Sequence, residues 1–312
     1  MGIIDIGEVI KSERKKKGLT QDDLAFGLCT TATLSRIENG IHSPNQELLD
    51  GLLERLGTTD YSFSYTDKND SFFDYEIEAT KNAVVAAYTA NQIDALLEHL
   101  TKLKNFETSY DILDEQFINT YTYMYLYKTN ELEKLDYTDI INSLNITINN
   151  FNEQDSFSYL LTDNEKLLLF LLAMYDKYHG KTVECKRILS NLAENFETYT
   201  NSYEYVELLY IDTLHELADI CILFEEYAEA NTHIDKYIAY CKEHATYSFI
   251  PYIRYQKALC SLWANNLNEA RENIVKAYYH LLALQRTDDA ECLRTKAEQE
   301  LNIRFKITIT RN

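Results

Sequence analysis

The sequence predicts an all-α protein with a short, glycine-containing N-terminal part and a long remainder almost without glycine. Seven of the eight glycines lie at or before Gly57, and Gly180 is the only later one. The two prolines are Pro44 and Pro251. Residues 58–312 therefore lack the turn residues of β-hairpins and of phosphate-binding loops. Apolar residues in this part recur at helical spacing, as they do from Ile211 to Ile222.

Composition and charge divide the 312 residues into three segments. Residues 1–57 hold seven Lys/Arg and nine Asp/Glu, residues 58–71 form a polar and aromatic linker, and residues 72–312 form a helical domain. The net charge is −20 for the chain but only −2 for residues 1–57, so the acidity belongs to the later part. Such an acidic domain repels nucleic acid. Five N-terminal cations could instead meet phosphates: Lys11, Arg14, Lys15, Lys16 and Lys17.

Three short helices are predicted at the start of the chain. The first spans residues 6–17, and the second follows Thr20, whose side chain is a good N-cap. The third runs from Thr30 or Thr31 to Asn39, and a fourth helix ends at Leu56-Gly57. Apolar residues at helical spacing in these segments predict a small helical core.

Residues 19–40, LTQDDLAFGLCTTATLSRIENG, resemble the XRE/Cro-type helix-turn-helix. The resemblance implies that the third helix enters the major groove of double-stranded DNA, with Arg36 bonded to a guanine and Ala32 or Thr33 against a thymine methyl group. It also implies that Gln21 holds a phosphate. The candidate DNA-binding residues are Gln21, Thr31, Ala32, Thr33, Ser35, Arg36, Lys15 and Lys17.

The helical domain repeats a helix, a turn and a second helix five times. The second helix of each repeat carries a small or apolar residue at an equivalent position, and these residues are spaced by 39, 50, 45 and 40: Leu96, Leu135, Cys185, Ala230 and Ala270. The pattern resembles stretched tetratricopeptide repeats and predicts a TPR-like α-solenoid with a concave face. Its poor period leaves an irregular helical bundle as the alternative.

The turn between the second and third helices, residues 27–30, is one residue shorter than in most Cro-type domains. Together with the degenerate repeats, this shorter turn resembles the PlcR/Rgg (RRNPP) family of peptide-responsive regulators. The resemblance implies a transcription regulator that binds a near-palindromic operator as a homodimer. It also implies control by a short signalling peptide on the concave face, in which side-chain amides bind the peptide backbone.

The residues that this resemblance assigns to the peptide site come from three repeats. They are Phe170, Met174, Asp212, His215, Glu216, Asp219, Tyr252, Tyr255 and Gln256. Only Gln256 keeps the family's amide, whereas Leu171 and Glu216 replace it in the other repeats. The carboxylates of Asp212, Glu216 and Asp219 suggest a ligand with a cationic group and an apolar end, or else an ordinary solvated acidic surface.

Other classes of function have little support in the sequence. Six scattered cysteines form no CxxC pair and no metal-ligand spacing with histidine, so neither a metal nor a cofactor is expected. Nucleotide-binding and hydrolase motifs do not occur, so no enzyme is expected. The longest apolar run has nine residues and no signal peptide is visible, which favours the cytoplasm and no membrane partner. The alternative function is a protein-interaction adaptor with a vestigial DNA-binding domain, which the intact Gln21 and Arg36 argue against.

Overall fold

The computed structural model describes residues 6–44, 46–57, 71–106, 112–148, 151–152, 160–199 and 204–304. Every regular element in these ranges is helical, which confirms the predicted all-α fold. The chain divides into two compact units, Met1–Leu209 and Tyr210–Asn312. None of the helices in the described ranges combines the length and apolar character needed to cross a bilayer.

Four helices form the N-terminal part, and their ends follow the predicted caps. They are α1 (Ile6–Lys16), α2 (Gln21–Ala25), α3 (Thr31–Glu38) and α4 (Gln46–Arg55). The Thr20 side chain accepts a bond from the Asp23 backbone N–H, and the Asp23 carboxylate accepts one from the Thr20 backbone N–H. Thr30 is the N-cap of α3, which decides between the two predicted candidates. A buried core that includes Ile10, Leu24, Leu34, Ile37 and Leu53 joins these helices.

Eleven α-helices follow in the described residues, mostly as hairpins. They are α5 (Ser71–Thr89), α6 (Ile93–Lys104), α7 (Ile112–Lys128), α8 (Tyr137–Asn145), α9 (Asp163–Tyr178), α10 (Thr182–Thr198), α11 (Glu204–Leu223), α12 (Tyr227–Glu243), α13 (Ile250–Trp263), α14 (Leu267–Ala283) and α15 (Thr287–Glu300). Short 3₁₀ turns lie at Leu132–Lys134 and Tyr247–Phe249. The predicted linker over residues 58–71 lies outside the described residues, except for Ser71.

The hairpin turns share one backbone motif, which explains how the repeats turn with only one glycine. Each turn has a residue in the left-handed conformation, and the next backbone N–H donates to a carbonyl five residues earlier at 2.8–2.9 Å. This is the Schellman motif, which ends a helix by satisfying its last carbonyls. The left-handed residues are Asn91, Asn130, Gly180, Glu225, Asn265 and Gln285.

The residues predicted to lie between paired helices are buried. Leu96, Cys185, Ala230 and Ala270 each have no exposed surface, and each lies in the first turn of a second helix. Leu135 differs because a 3₁₀ turn intervenes and α8 begins only at Tyr137. The long spacing of 50 residues runs from Leu135 to Cys185, and it includes residues 146–162 between the end of α8 and the start of α9.

Candidate nucleic-acid interface and ligand-facing helices

Helix α3 presents one face to the domain core and the other to solvent. Leu34 and Ile37 are buried, whereas Thr31, Ala32 and Arg36 are exposed. Ala32 and Arg36 are four residues apart and so lie above one another on this side of the helix, and Thr31 is next to Ala32 in the first turn. We call these three residues the exposed row. Of the other two candidates, Thr33 and Ser35 are half-buried, and the Thr33 hydroxyl is 2.9 Å from that of Thr30. The row can therefore reach a ligand without any change in the core.

The predicted phosphate-binding cations differ in their surroundings. Lys15 and Lys16 are exposed at the end of α1. Lys17 is half-buried, and burial lowers its pKa. Lys11 donates to the Asn39 side chain at 3.0 Å. Lys16 lies 3.4 Å from the Glu13 carboxylate, so Lys15 is the cation of this cluster whose charge is most available to a polyanion.

Arg14, the fifth cation of the cluster, is a core residue. Its guanidinium donates to both carboxylate oxygens of Glu38, at 2.5 and 2.9 Å, and to the Leu19 carbonyl at 2.7 Å. The Gln21 amide donates to the same carboxylate at 2.8 Å. The Gln21 side chain therefore links α2 to α3, and its contact with a phosphate stays a prediction.

The network around Glu38 is charged despite its burial. Burial raises the pKa of Glu38, but the hydrogen bonds from Arg14 and Gln21 outweigh it, and the net pKa is lowered. The same bond from Glu38 raises the pKa of Arg14. Because both groups stay ionised, the pair holds α1 against α3 and sets the orientation of the exposed row.

A second buried ion pair attaches the N-terminal helices to the repeats. Arg55, at the end of α4, donates to Glu165 at 3.1 Å, and neither side chain has exposed surface. Arg55 also donates to the carbonyl of Phe26. Glu165 additionally accepts a bond from the Thr162 backbone at 2.6 Å, as part of the capping box that begins α9. The Glu165 carboxylate thus caps the first turn of α9 and also binds Arg55 at the end of α4.

Glu54 lies beside this pair and has an unusual protonation equilibrium. The Asn164 amide donates to its carboxyl oxygen at 3.0 Å. Burial, and then the charge of Glu165, raise the pKa of Glu54 to about 8. A protonated Glu54 avoids placing a second negative charge beside Glu165.

The turn between α2 and α3 also contacts the repeats. Gly27 has a φ of +72°, and a Cβ at this position would overlap the backbone carbonyl of Thr147. The close approach and the left-handed backbone both require glycine here. The N-terminal helices therefore dock through this turn and through α4, while the exposed row of α3 stays outside these contacts.

Two predicted peptide-binding residues, Phe170 and Met174, lie in a helix that is buried on nearly all sides. They are 1% and 4% exposed, and every residue from Leu167 to Met174 is buried. The Phe170 ring packs edge-on against Tyr127, with centroids 5.7 Å apart. The structure places both side chains in the core of the first unit. Their contact with a peptide stays a prediction.

In the second unit, the structure brings three predicted residues together between α11 and α13. The Gln256 amide donates to the His215 carbonyl at 3.1 Å and to Asp219 at 2.5 Å. The His215 ring is 3.8 Å from the Asp219 carboxylate and faces the Tyr237 ring, with centroids 6.5 Å apart. Gln256 is 3% exposed, and its carbonyl oxygen has no hydrogen-bond partner among the described residues. This oxygen is an acceptor that a ligand N–H can reach only when the neighbouring side chains move.

The remaining candidates in this unit differ in their placement. Asp212 is exposed and Glu216 half-buried on α11. The Tyr255 hydroxyl donates to Glu300, and Lys296 lies over its ring at 4.4 Å, so Tyr255 contacts α15. Arg286 lies 5.2 Å from the Tyr252 ring centroid.

Sequence reasoning placed Arg14 among the phosphate-binding cations, which its burial against Glu38 contradicts, and it missed the buried pair of Arg55 and Glu165. Arg14 resembles its exposed lysine neighbours in sequence, and Glu165 is separated from Arg55 by 110 residues. One local signal was available for Glu165, since Thr162 three residues earlier forms a capping-box pattern just before an apolar run.

Comparison with known proteins supports the organisation described above. Residues 10–62 match the helix-turn-helix family, which confirms the predicted helix-turn-helix near the N-terminus. No curated protein sequence matches the chain.

Solved structures show the same fold over nearly the whole chain. PlcR of Bacillus thuringiensis, in complex with the peptide PapR7 and DNA, has a TM-score of 0.57 at 18% identity, covering 93% of this chain and 98% of that one. Its apo form has a TM-score of 0.55 with the same identity and coverage. The apo competence regulator ComR of Streptococcus vestibularis has a TM-score of 0.52 at 21% identity, covering 94% and 97%. These likenesses confirm the predicted fold, a helix-turn-helix domain followed by helical repeats.

Proposed function

We propose that this chain is a sequence-specific DNA-binding transcription regulator controlled by a short peptide that its helical repeats bind. The observation that carries the proposal is the exposed row of α3, held on the domain core while Thr31, Ala32 and Arg36 face solvent. The fold shared with PlcR, whose complex contains a peptide and DNA, supports it. In this proposal the protein acts in the cytoplasm, by binding rather than by catalysis.

The exposed row has the chemistry for reading base edges. The Arg36 guanidinium can donate two hydrogen bonds to one guanine, and the methyl group of Ala32 can contact thymine. Lys15 and Lys16 would bind phosphates and add affinity without sequence preference. Since an isolated module of this size buries little surface on DNA, we propose a homodimer on two half-sites about 34 Å apart, or a multiple of that spacing.

Selection from random duplexes followed by fluorescence anisotropy tests the DNA proposal. Arg36→Ala is expected to weaken binding to the selected site by about 1–3 kcal/mol and to relax preference at one base pair per half-site. Lys104→Ala is the matched control, because Lys104 is also exposed but lies at the end of α6. If no sequence is enriched at low salt, or if both variants bind alike, the DNA-reading role of α3 is wrong.

Lys15→Ala separates phosphate contacts from base contacts. This variant is expected to weaken binding to all duplexes to a similar extent and to reduce the slope of log K against log salt by about one for each half-site. An unchanged slope would show that Lys15 makes no phosphate contact.

The ligand proposal rests on the cluster around Gln256. Its buried, unpartnered oxygen can accept a peptide N–H, and Asp219 and Glu216 nearby favour a cationic group on the ligand. Binding of basic and acidic apolar heptapeptides, measured by calorimetry, tests this preference. Basic peptides are expected to bind more tightly, and Glu216→Gln is expected to reduce the difference. Tighter binding of acidic peptides would overturn the cationic assignment.

Helix α9 provides a direct route from the repeats to the DNA-binding helices. Its first turn carries Glu165, which holds Arg55 of α4, and its middle carries Phe170 and Met174. A ligand that favours one placement of α9 would change the restraint on α4, which is a shift between pre-existing states. Peptide-dependent hydrogen exchange in α4 measures this coupling.

A further inference from the structure

The second unit contains a cluster of three potential metal ligands that the proposed function does not use. Cys221 of α11 and Glu229 and His233 of α12 place one ligand atom each within 4.8 Å of one another. Glu229 and His233 are one helical turn apart, so they share a face of α12. We propose that this cluster binds a zinc ion that joins α11 to α12.

The distances suit zinc after small side-chain movements. A tetrahedral ion with bonds of about 2.0–2.3 Å separates its ligand atoms by about 3.3–3.6 Å. The His233 nitrogen Nε2 and a Glu229 carboxylate oxygen are already 3.7 Å apart. The other separations are at most 4.8 Å, so a contraction of up to about 1 Å remains for rotations of the Glu229 and His233 side chains to supply.

The ligand types select zinc over the hard divalent ions. Mg²⁺ and Ca²⁺ prefer sites made of oxygen atoms, whereas a thiolate with an imidazole favours Zn²⁺. Binding would displace the thiol proton of Cys221 to solvent and require a neutral His233. Three protein ligands leave one coordination position, which water can occupy.

The three ligands differ in burial, from a buried thiol to an exposed carboxylate. Cys221 has no exposed surface, the His233 side chain is 13% exposed and Glu229 faces solvent. The thiolate would therefore be shielded, while the ion could enter past the carboxylate. The neighbouring hairpin α13–α14 supplies a natural comparison, because its left-handed turn residue lies 40 positions later. Its equivalent residues are Ser261, Glu269 and Asn273, which lack the thiol and the imidazole.

Titration of the full-length, chelator-treated protein with Co²⁺ and then Zn²⁺ tests the site. A thiolate-to-cobalt charge-transfer band that saturates at one ion per chain, and that Zn²⁺ abolishes, is expected. Cys221→Ser with His233→Asn installs the residues of the neighbouring hairpin and is expected to lose the band. Cys241→Ser, which removes another buried thiol of α12, is expected to keep it.

A third variant tests the site even if the double variant does not fold. Glu229→Gln changes an exposed helical position, so it is expected to keep its helical circular dichroism and the cobalt band but to bind zinc more weakly. Thermal unfolding of the native chain is expected to shift upward with Zn²⁺ and not with Mg²⁺. Absence of the band in the native chain, or equal zinc affinity in the native chain and the double variant, would overturn the proposal.

Discussion

Removing Glu165 is expected to release the N-terminal helices from the repeats. In Glu165→Ala, the guanidinium of Arg55 stays buried but loses its only carboxylate partner among the described residues, while the carbonyl of Phe26 remains. The Thr162 backbone N–H at the start of α9 loses its acceptor as well. The substitution therefore disturbs Arg55 of α4 and also the first turn of α9.

The size of the effect follows from the burial of the pair. Leaving one member of a buried ion pair without its partner typically costs about 3–5 kcal/mol. Losing the capping interaction adds about 1 kcal/mol. We expect local destabilisation of at least about 3 kcal/mol, which corresponds to more than about a hundredfold in the local opening equilibrium.

Native-state amide hydrogen exchange in α2 and α4 is the direct assay, because it reports local opening. Thr162→Ala removes the hydroxyl half of the same capping box, so it is the control for the size of a capping loss and should cost about 1 kcal/mol. Arg55→Met with Glu165→Leu removes both charges and should recover part of the loss, giving a coupling energy of about 2 kcal/mol or more. A loss below about 1 kcal/mol in Glu165→Ala would refute the reasoning, since it would equal that of a surface pair.

Three further predictions concern the same fold. The pKa of Glu54 is raised to about 8 in the folded protein, so its stabilising contribution is complete below its ordinary pKa and is lost as the pH rises to about 8. Glu54→Gln should therefore stabilise the protein by about 2 kcal/mol or more at pH 8 and little at pH 5, and equal effects in urea unfolding at both pH values would contradict this. Gly27→Ala should destabilise the contact with Thr147, as measured by hydrogen exchange in α2 and α8. Gly18→Ala is the control, because it adds about 1 kcal/mol of left-handed strain but meets no neighbouring atom, and Gly27→Ala should cost clearly more. Glu225→Gly and Gln285→Gly should each raise stability by about 1 kcal/mol, because their left-handed conformations favour glycine, and a loss of thermal stability would show that their side chains matter more.

Local sequence signals predicted most of the helical organisation. The N-caps Thr20 and Thr30 lie where their side-chain chemistry indicated, because capping depends on neighbours within three residues. The spacing of Leu96, Ala230 and Ala270 identified the second helices of three repeats for a similar reason, since helical periodicity is a local property.

The candidate site was predicted unevenly. The exposure of Arg36 follows from the apolar positions Leu34 and Ile37 on the opposite face of α3. Periodicity does not predict that Gln21 binds Glu38 or that Phe170 is buried, because both depend on contacts with other helices. An apolar run such as residues 167–174 is compatible with a ligand-lining helix and with a core helix alike.

The sequence alone determined the helices, their caps, the repeat pattern and the exposed row on α3, because each of these depends on interactions within a few residues. Only the tertiary structure decided which charges are buried. Arg14 and Arg55 became core residues through Glu38 and Glu165, and Glu54 took a pKa near 8 beside them. Such pairings join residues far apart in the chain, and the free energy of a charge depends on the groups that surround it in space.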